Sequence, residues 1–392
     1  MDLKLTDQET AFREEVRAWV ADNLPAHLAS KVRGGFRLTR DDMQGWFRIL
    51  GKKGWHCGSW PIEFGGQGWS PVQKYLFEEE CARAGAPRVL SFGPFMVGPV
   101  IMKFGNSEQH KRFLPGICSG DVWWSQGYSE PGAGSDLVSV KTRANRKGDV
   151  YIVNGQKTWS TYGQYGDWIF CLVRTSQEGK PQNGISFLLI DMTSPGISVR
   201  PIKLLDGECE VNEIFFDDVA VPADNLIGEE NKGWTYAKYL LGLERTAIAN
   251  VNRAKQELVR LKHIAQAEGV YADGRFRDEI ARLEVEILAL ELLVLRVLTS
   301  RNSGGQPMDI AALLKIRGSE IQQRLLELMM LAAGPASLPF IETAILGEIS
   351  GDPVVPAHAA PLASGYLNMR KSSIYGGTNE IQRNIVAQTM LA

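Results

Sequence analysis

The sequence predicts an α+β protein in which a β domain separates two helical domains. Apolar residues recur at helical spacing over residues 1–122, and short β-branched runs follow over residues 123–229. Long amphipathic segments then occupy residues 230–392. We therefore expect an N-terminal helical domain, a middle β-barrel domain and a C-terminal four-helix bundle, with boundaries at those positions.

The bulk composition is typical of a globular chain. Its 392 residues, 44% hydrophobic and 22% charged, are enough for two or three domains. A net charge of −2 with dispersed basic residues predicts neither a nucleic acid nor a membrane as partner. Five scattered cysteines without a CxxC pair, and an N-terminus without an apolar leader, predict a cytoplasmic location. The five histidines lack metal-ligand spacing, so no metal site is expected.

Helical periodicity in the N-terminal domain predicts helices that end near Pro25 and Gly51, and a further helix that starts at Pro71. The Gly/Pro-rich loop over residues 60–71 does not form a dinucleotide-binding fingerprint, because no strand precedes it. The chain also lacks a glycine-rich phosphate loop of the strand-turn-helix kind.

The middle domain is a series of short β-rich runs, at residues 150–153, 168–173, 185–190, 197–202 and 214–216. Asn154 and Gly155 predict a hairpin between residues 151–153 and 158–159. Many short antiparallel strands with tight turns indicate a small barrel or sandwich.

The C-terminal domain has four amphipathic segments, near residues 231–267, 276–300, 309–333 and 362–391. In the first of them, Trp234, Ala237 and Leu241 form an apolar stripe. Glu244 falls in this stripe, where a carboxylate is costly unless it is paired or serves a cavity. Both a functional carboxylate and a buried ion pair with a distant Arg or Lys fit this position.

Three polar stretches are candidates for ligand binding. Residues 128–136 combine hydroxyls with backbone N–H groups, and residues 154–161 place an aromatic ring beside hydroxyls. Residues 373–383 contain two glycines before a helix, whose N-terminus leaves N–H groups free for a ligand. Each stretch has an ordinary alternative: a Pro-Gly turn, a hairpin with Trp159 in the core, and a loop-to-helix turn.

The order of these motifs resembles the acyl-CoA dehydrogenase family of flavoproteins over nearly the whole chain. The motifs are Pro61-x-x-Phe64-Gly65-Gly66-x-Gly68, Ser129-Glu130-Pro131-Gly132-Ala133-Gly134-Ser135-Asp136, Asn154-Gly155-x-Lys157-x-Trp159 and Gly377-Thr378-Asn379-Glu380-Ile381-Gln382-Arg383. The resemblance implies FAD bound non-covalently between the β domain and the C-terminal helices. It assigns the FAD contacts to Gln126, Tyr128, Ser129, Gly134, Trp159, Thr161, Thr378 and Glu380.

The resemblance also implies a catalytic carboxylate. In the family, a Glu removes the α proton of the thioester while the β hydrogen leaves as hydride to the flavin. In many members this Glu follows the Tyr of the C-terminal motif, but here Gly376 stands there. Enzymes similar to the isovaleryl and long-chain dehydrogenases place it on the first bundle helix before an Arg, which corresponds to Glu244 and Arg245. The resemblance thus makes Glu244 the base, with Ser135, Arg245 and Gly376 contacting the acyl-CoA.

Two family segments are altered in this chain. The Arg-x-x-Phe-Gly segment, which reaches a neighbouring subunit's FAD in the family, is missing around residues 263–274. The Gln-x-x-Gly-Gly-x-Gly segment is reduced to residues 330–335.

The sequence around Glu244 and Gly376 resembles that of the large subunits of bacterial dehydrogenases that act on pimeloyl-CoA or steroid side-chain thioesters. Residues 80–105 and 234–245 are expected to form the floor of the acyl pocket.

The resemblance implies several partners and leaves alternatives open. It implies an acyl-CoA substrate, an electron-transfer flavoprotein as acceptor, and either a homo-oligomer (dimer or tetramer) or a heterotetramer with a related subunit. One alternative is a non-catalytic or half-site subunit of a heteromeric acyl-CoA dehydrogenase. Another is an acyl-CoA oxidase or a flavin monooxygenase on the same fold.

Overall fold

The structure is a computed structural model that describes residues 4–247, 249–301, 308–348 and 354–391. It describes the helical backbone, but not the side chains, of residues 243–247, 299–301 and 308–309. Helices occupy both ends of the described chain, and a β-sheet lies between them. This order confirms the predicted α+β class.

Six α-helices build the described N-terminal part: α1 (Asp7–Asn23), α2 (Ala26–Gly34), α3 (Arg40–Lys53), α4 (Pro71–Ala84), α5 (Gly98–Phe104) and α6 (Ser107–Ser119). Four of them, α1, α3, α4 and α6, begin with a capping box, in which two residues three positions apart each accept the other's backbone N–H. Thr6 with Glu9 caps α1, and Ser70 with Gln73 caps α4 directly before Pro71. These local signals fix where the helices begin.

The described strands are β1 (Trp124–Gly127), β2 (Arg143–Lys147), β3 (Val150–Thr161), β4 (Trp168–Arg174), β5 (Ile185–Asp191), β6 (Ile197–Ile202) and β7 (Val211–Pro222). They form one sheet in the order β1-β4-β2-β3-β7-β6, and β5 also pairs with β4. β1 and β2 run parallel to β4, which differs from the all-antiparallel prediction. Parallel strands need a long crossover, and β2 with β3 lies within the connection between β1 and β4.

The predicted hairpin at Asn154 and Gly155 is wrong, because β3 runs through both residues. β3 pairs with β2 on one side and with β7 on the other. The turn lies instead at Gly148, whose φ is 61°, between β2 and β3. Gly155 serves a close approach, since a Cβ there would lie 2.7 Å from the Cα of Thr142. The glycine therefore marks neighbouring backbone and not a chain reversal.

The described C-terminal helices are α7 (Gly233–Ala247), α8 (Val251–Ala267), α9 (Gly274–Arg301), α10 (Met308–Ala333), α11 (Glu342–Ile345), α12 (Leu362–Met369) and α13 (Asn379–Leu391). The predicted first segment is two helices, because Asn250 has a φ of 45° and an α-helix does not continue through a left-handed residue. The predicted last segment divides at residues 370–378. Apolar side chains of α8, α9 and α10 form most of the bundle core. Among the described helices, none is both long and apolar enough to cross a membrane.

Candidate active site

Helix α7 lies where the three parts of the chain meet. It packs against α5, β5 and α10. Tyr236, Ala237 and Leu240 of α7 are buried in a cluster that also contains side chains of the N-terminal helices and of the sheet. At the start of the helix, a Cβ on Gly233 would lie 2.4 Å from the backbone of Ser186 in β5. This close packing fixes the position of α7 relative to the sheet.

The expected base belongs to the last turns of this helix. Glu244 comes four residues after the buried Leu240, but the side chains of Glu244 and Arg245 lie outside the described residues. Helix α7 also packs on a π-helical turn, Phe92–Val97. π-helical turns are rare in proteins, and those that occur often lie at functional sites. The expected pocket floor therefore combines an irregular segment of the N-terminal domain with the helix that carries Glu244.

A buried ion pair holds the loop that follows β1. The side chain of Lys157 is fully buried, and that of Glu130 is 7% exposed. Lys157 Nζ donates to Glu130 Oε1 at 2.7 Å, to the carbonyl of Leu172 at 2.7 Å and to the carbonyl of Tyr128 at 3.3 Å. Three acceptors satisfy the three ammonium protons, which compensates part of the desolvation of the charge.

The carboxylate of Glu130 is bound as completely as its partner. It accepts the backbone N–H groups of Lys141 at 2.6 Å and Thr142 at 3.0 Å. Burial opposes ionisation of Glu130, but Lys157 and these hydrogen bonds outweigh it and lower the pKa of the carboxyl group. The pair thus fastens residues 129–142 to the sheet. Sequence reasoning named both residues in motifs but missed that they bind each other.

Trp159 stands on a strained bend of β3. The register with β7 shifts between Lys157 and Ser160, and Trp159 has a φ of 61°. A bulky residue rarely adopts this left-handed conformation, and residues that are strained in this way cluster at binding and active sites. The side chain is 58% exposed, so the alternative that Trp159 belongs to the core is wrong. The bend leaves a large aromatic ring facing outward.

The bend itself is open to a direct test with Trp159→Gly. We expect the unfolding free energy of the apoprotein to stay within about 1 kcal/mol of wild type, because relief of the left-handed strain offsets the lost contacts and the added backbone freedom. Affinity for a flavin should fall by roughly tenfold or more, because the lost ring would have stacked on the ligand. Thermal unfolding of the apoprotein and flavin fluorescence titration measure the two quantities.

The matched control is Tyr162→Gly. Tyr162 also has a positive φ, of 51°, but its ring stacks on Tyr165 at 5.8 Å and meets Trp123 edge-on at 6.0 Å. Loss of this packing should destabilise the apoprotein by roughly 2–4 kcal/mol despite the relieved strain. If Trp159→Gly destabilised the protein as much as Tyr162→Gly, the ring of Trp159 would have a structural role and not a binding role.

The end of β1 lies beside this bend. The backbone N–H of Thr158 donates to the carbonyl of Ser129 at 2.9 Å, which places Ser129 next to the chain of Trp159. Gln126 lies within β1, and the half-exposed Ser129 follows the buried Tyr128. The structure therefore brings together these predicted contacts of the loop and of β3.

The other predicted residues lie on exposed or half-exposed backbone. Gly134 and Ser135 are exposed in the loop after β1, and Thr161 is half-buried at the end of β3. Glu380 is exposed in the first turn of α13, where its carboxylate lies 3.7 Å from Arg383. None of these positions is closed off by the described core, so each is accessible to a ligand.

The turn before α13 depends on its glycines. Gly376 and Gly377 have φ values of 63° and 84°, which strain any other residue. A Cβ on Gly377 would also lie 2.4 Å from Nε2 of Gln382. Thr378 then caps the helix, because its Oγ1 accepts the N–H of Ile381 at 3.2 Å. The predicted loop-to-helix turn is present, with backbone geometry that only glycine adopts readily.

A buried lysine that sequence reasoning missed lies behind this turn. Lys315 of α10 is fully buried, and its Nζ donates to Oδ1 of Asn379, the first residue of α13, at 2.9 Å. Burial lowers the pKa of Lys315 to about 8, although Glu380 nearby favours the charged form. A positive charge beside a helix N-terminus makes this end of α13 electropositive. The signal in the sequence was a lysine within an apolar run of α10.

A contact between two distant segments joins the two sides of the site. Thr161 of β3 pairs with Val211 of β7, and the preceding residue is Glu210. The carboxylate of Glu210 binds Nζ of Lys371, which lies four residues before Tyr375. The strand that carries Trp159 is therefore connected through one ion pair to the glycine turn. The end of β3 and the turn before α13, which both carry predicted flavin contacts, are thus linked by this contact.

Comparison with known proteins gives the family. Residues 6–121 match the acyl-CoA dehydrogenase N-terminal domain, residues 125–219 match the middle domain, and residues 231–391 match the C-terminal domain. The chain belongs to the acyl-CoA dehydrogenase family. The predicted resemblance, the three-part fold and the assignment as a flavoprotein oxidoreductase acting on acyl-CoA are thereby confirmed.

Relatives of nearly the same length are known. Acyl-CoA dehydrogenase IpdE1 of Mycobacterium tuberculosis is 35% identical over 97% of this chain and 96% of its own. Among solved structures, the Tcur3481-Tcur3483 steroid ACAD has 30% identity and a TM-score of 0.86, covering 100% of this chain and 99% of its own. The ChsE4-ChsE5 complex from Mycobacterium tuberculosis has 31% identity and a TM-score of 0.84, with the same coverage.

Proposed function

We propose that this chain catalyses the FAD-dependent α,β-dehydrogenation of an acyl-CoA thioester to the trans-2-enoyl-CoA. The observation that carries the proposal is the position of Trp159. Its exposed ring lies on the strand beside Ser129, and Glu210 connects this strand to the segment that leads into the Gly376–Gly377 turn. An aromatic ring, backbone N–H groups and a glycine turn are what a flat heteroaromatic ligand requires.

Several features of the described residues fit FAD. The hydroxyl of Ser160, next to Trp159, is buried without a hydrogen-bond partner among the described residues, so a ligand atom or water has to satisfy it. Lys315 and the N-terminus of α13 offer positive potential to an anionic group. Gln126, Tyr128, Ser129, Gly134, Trp159, Thr161, Thr378 and Glu380 are the proposed contacts. FAD, when bound, supplies a hydride acceptor.

The chain's own residues perform the remaining steps. The carboxylate of Glu244 takes the α proton of the thioester, and the N–H of Gly376 donates to the thioester oxygen, on which negative charge develops. A closed apolar pocket raises the pKa of a carboxyl group and excludes water from the reacting atoms. Arg245 and Ser135 are the further proposed substrate contacts, with Ser135 placed toward the phosphopantetheine or nucleotide portion.

The relatives narrow the proposed substrate. Of the similar structures, one is named a steroid ACAD and another a complex of two chains, ChsE4 and ChsE5. We extend both properties to this chain: a steroid-derived acyl-CoA as substrate, and a heterotetramer with a related subunit as the assembly. An exposed apolar stripe on α9, which includes Val285 and Leu288, supports an oligomer. The altered segments at residues 263–274 and 330–335 favour a partner that completes the adenosine side of the FAD site.

The remaining parts of the proposal concern the acceptor and the compartment. We propose an electron-transfer flavoprotein as acceptor and the cytoplasm as location. An oxidase on the same fold would instead pass its electrons to oxygen. Rapid reoxidation of the reduced, product-bound protein by oxygen would favour the oxidase over the dehydrogenase.

An anaerobic titration tests the proposal. The purified chain, alone and co-expressed with its partner subunit, is titrated with short, branched, long, dicarboxylic and steroid-like acyl-CoAs while flavin absorbance is followed. We expect bleaching by the steroid-like thioesters, because the hydride that leaves their β carbon would reduce the flavin while Glu244 takes the α proton. A yellow assembly that no thioester bleaches would overturn the proposed reaction. A colourless assembly would overturn FAD binding and favour a non-catalytic subunit.

A further inference from the structure

The loop between β6 and β7 carries three carboxylates into the junction of the three domains. This acidic loop (residues 204–210) contains Asp206, Glu208 and Glu210. It is a tight turn, because the N–H of Gly207 donates to the carbonyl of Leu204 at 3.0 Å. All three carboxylates contact residues that are distant in sequence. Three negative charges on one short turn repel each other unless other groups compensate them.

Asp206 anchors the acidic loop on α12. It is 1% exposed, and its Oδ2 accepts Nδ2 of Asn368 at 2.6 Å. Its backbone carbonyl accepts the hydroxyl of Ser364 at 3.1 Å, and its Oδ1 accepts the N–H of Glu208 at 3.1 Å. Two side chains of α12 therefore hold one residue of the β domain, which fixes the acidic loop against the C-terminal helices.

Glu208 connects the acidic loop to the N-terminal domain. Its Oε1 lies 3.1 Å from Nε of Arg37, and both side chains are mostly buried, at 20% and 15% exposed. Arg37 is itself held, because its backbone N–H donates to the carbonyl of Ile345 at 2.9 Å. The pair joins the linker between α2 and α3 to the β domain.

Glu210 connects the acidic loop to both sides of the proposed flavin site. Its carboxylate accepts Nζ of Lys371, and its Oε2 also accepts Nδ2 of Asn368 at 2.9 Å. Its backbone carbonyl accepts the N–H of Tyr162 at 2.7 Å, directly after Thr161. One residue thus binds the end of β3 through its main chain and the segment before the glycine turn through its side chain.

We propose that Glu210 is a positioning residue, which through Lys371 holds the Tyr375–Gly377 turn in register with Trp159, and that the charge of the neighbouring Glu208 controls how firmly the acidic loop does so. The proposal rests on the proposed function, since it concerns the same site. The proposed role involves no ligand other than the FAD of that site. The acidic loop sets the distance between the end of β3 and the Tyr375–Gly377 turn, which together would bind the flat ring system of the ligand. Such preorganisation reduces the free-energy cost of binding.

The charges around Glu208 give the sign of the pH effect. Arg37 favours its ionised form, while Asp206 and Glu210 on its own loop oppose it, and Lys371 contributes a second favourable charge. Tyr162, which directly follows β3, also interacts electrostatically with Glu208. Burial, helped by the negative charges of Glu210 and Asp206, outweighs Arg37 and Lys371 and raises the pKa of Glu208 from 4.5 to about 7.

A raised carboxyl pKa means that the folded state favours the protonated form. The resulting stabilisation is complete below the ordinary pKa near 4.5 and is lost as the pH rises through about 7. Ionised Glu208 adds a third negative charge beside Glu210. We therefore expect the acidic loop to hold the turn less firmly at pH 8 than at pH 6.

The first experiment compares Glu210→Gln, Lys371→Met and the double variant in the native assembly. Each single variant should weaken FAD affinity roughly tenfold, because it removes a charge-assisted hydrogen bond. The double variant should be no weaker than the worse single one, because both changes break the same contact. Hydrogen exchange at residues 374–378 of the apoprotein should rise in all three. Glu108→Gln, which breaks the exposed Lys111–Glu108 pair on α6, is the matched control and should change neither quantity.

The second experiment follows FAD affinity and hydrogen exchange from pH 5.5 to 8.5. In wild type, exchange at residues 374–378 should rise and FAD affinity should fall, with a midpoint near 7. Glu208→Gln carries a permanently neutral side chain, so it should keep the low-pH behaviour throughout. Additive effects in the double variant, or the same pH profile in Glu208→Gln, would overturn the proposal. Neither readout requires turnover, so loss of thioester bleaching alone would count against the proposed function and not against this role.

Discussion

Glu244→Gln should lower kcat by about 10³-fold while the FAD content of the assembly stays unchanged. Glutamine keeps the size and polarity of the side chain but cannot accept the α proton, so the loss appears in the chemical step. The measurement is the anaerobic rate of flavin bleaching by a saturating thioester in a stopped-flow instrument. A fall in kcat with little change in thioester affinity is expected, because the carboxylate acts mainly in the transition state.

Two variants make this result specific. Glu108→Gln removes an exposed carboxylate of α6 and should leave the bleaching rate unchanged. Gly376→Glu in the Glu244→Gln background places a carboxylate where many family members have theirs. We expect little recovery, because Gly376 has a φ of 63° and a side chain there is strained by about 1–2 kcal/mol. Full turnover by Glu244→Gln alone would contradict the assignment of the base.

Local features of the fold could be predicted because their causes are local. Proline and glycine at helix ends and the β-branched runs each depend on a few neighbouring residues. The strand assigned near residues 185–190 and the helix start assigned to Pro71 accordingly match β5 and α4 closely. The same reasoning failed at Gly155, because its cause is the approach of Thr142, thirteen residues earlier in the chain. It also failed at Asn250, whose left-handed backbone interrupts a continuous helical pattern.

The candidate site likewise combines features that a sequence can predict with features that it cannot. The sequence identified the segments that carry Trp159, Ser129 and Gly376, because motifs are contiguous. It could not reveal the contact between Glu210 and Lys371, which are 161 positions apart. No single sequence contains a signal for such a pair, since either charge alone is consistent with an exposed surface position. The partners of buried charges, and the direction in which burial shifts their pKa values, become visible only once the chain is folded.

The buried charges of the β domain give the second large effect. Lys157→Met should destabilise the apoprotein by about 3–5 kcal/mol, because Glu130 keeps its negative charge in a site that is 7% exposed. The two backbone N–H groups of Lys141 and Thr142 remain as its donors, and they do not neutralise it. The loop over residues 129–136 should loosen with its anchor, so FAD affinity should fall together with the unfolding temperature.

The pH dependence separates this explanation from a simple loss of packing. In wild type the pKa of Glu130 is lowered, so the carboxylate contributes stability above its ordinary pKa of 4.5, and this is lost as the pH falls through the lowered value. Without Lys157, burial dominates and raises that pKa, so the sign reverses. The deficit of Lys157→Met should therefore shrink as the pH falls from 7 toward 5, as measured by thermal unfolding of both proteins.

The double variant Lys157→Met, Glu130→Gln completes the argument. It removes both charges, and the oxygen of the amide that replaces the carboxylate still accepts one of the two N–H groups, of Lys141 or Thr142. We expect it to be more stable than Lys157→Met alone and independent of pH between 5 and 7, because no uncompensated charge remains buried. A double variant that was less stable than Lys157→Met would mean that Glu130 stabilises the loop without its partner. The ion pair would then specify the position of the loop after β1, and Glu130 would not depend on Lys157 to compensate its buried charge.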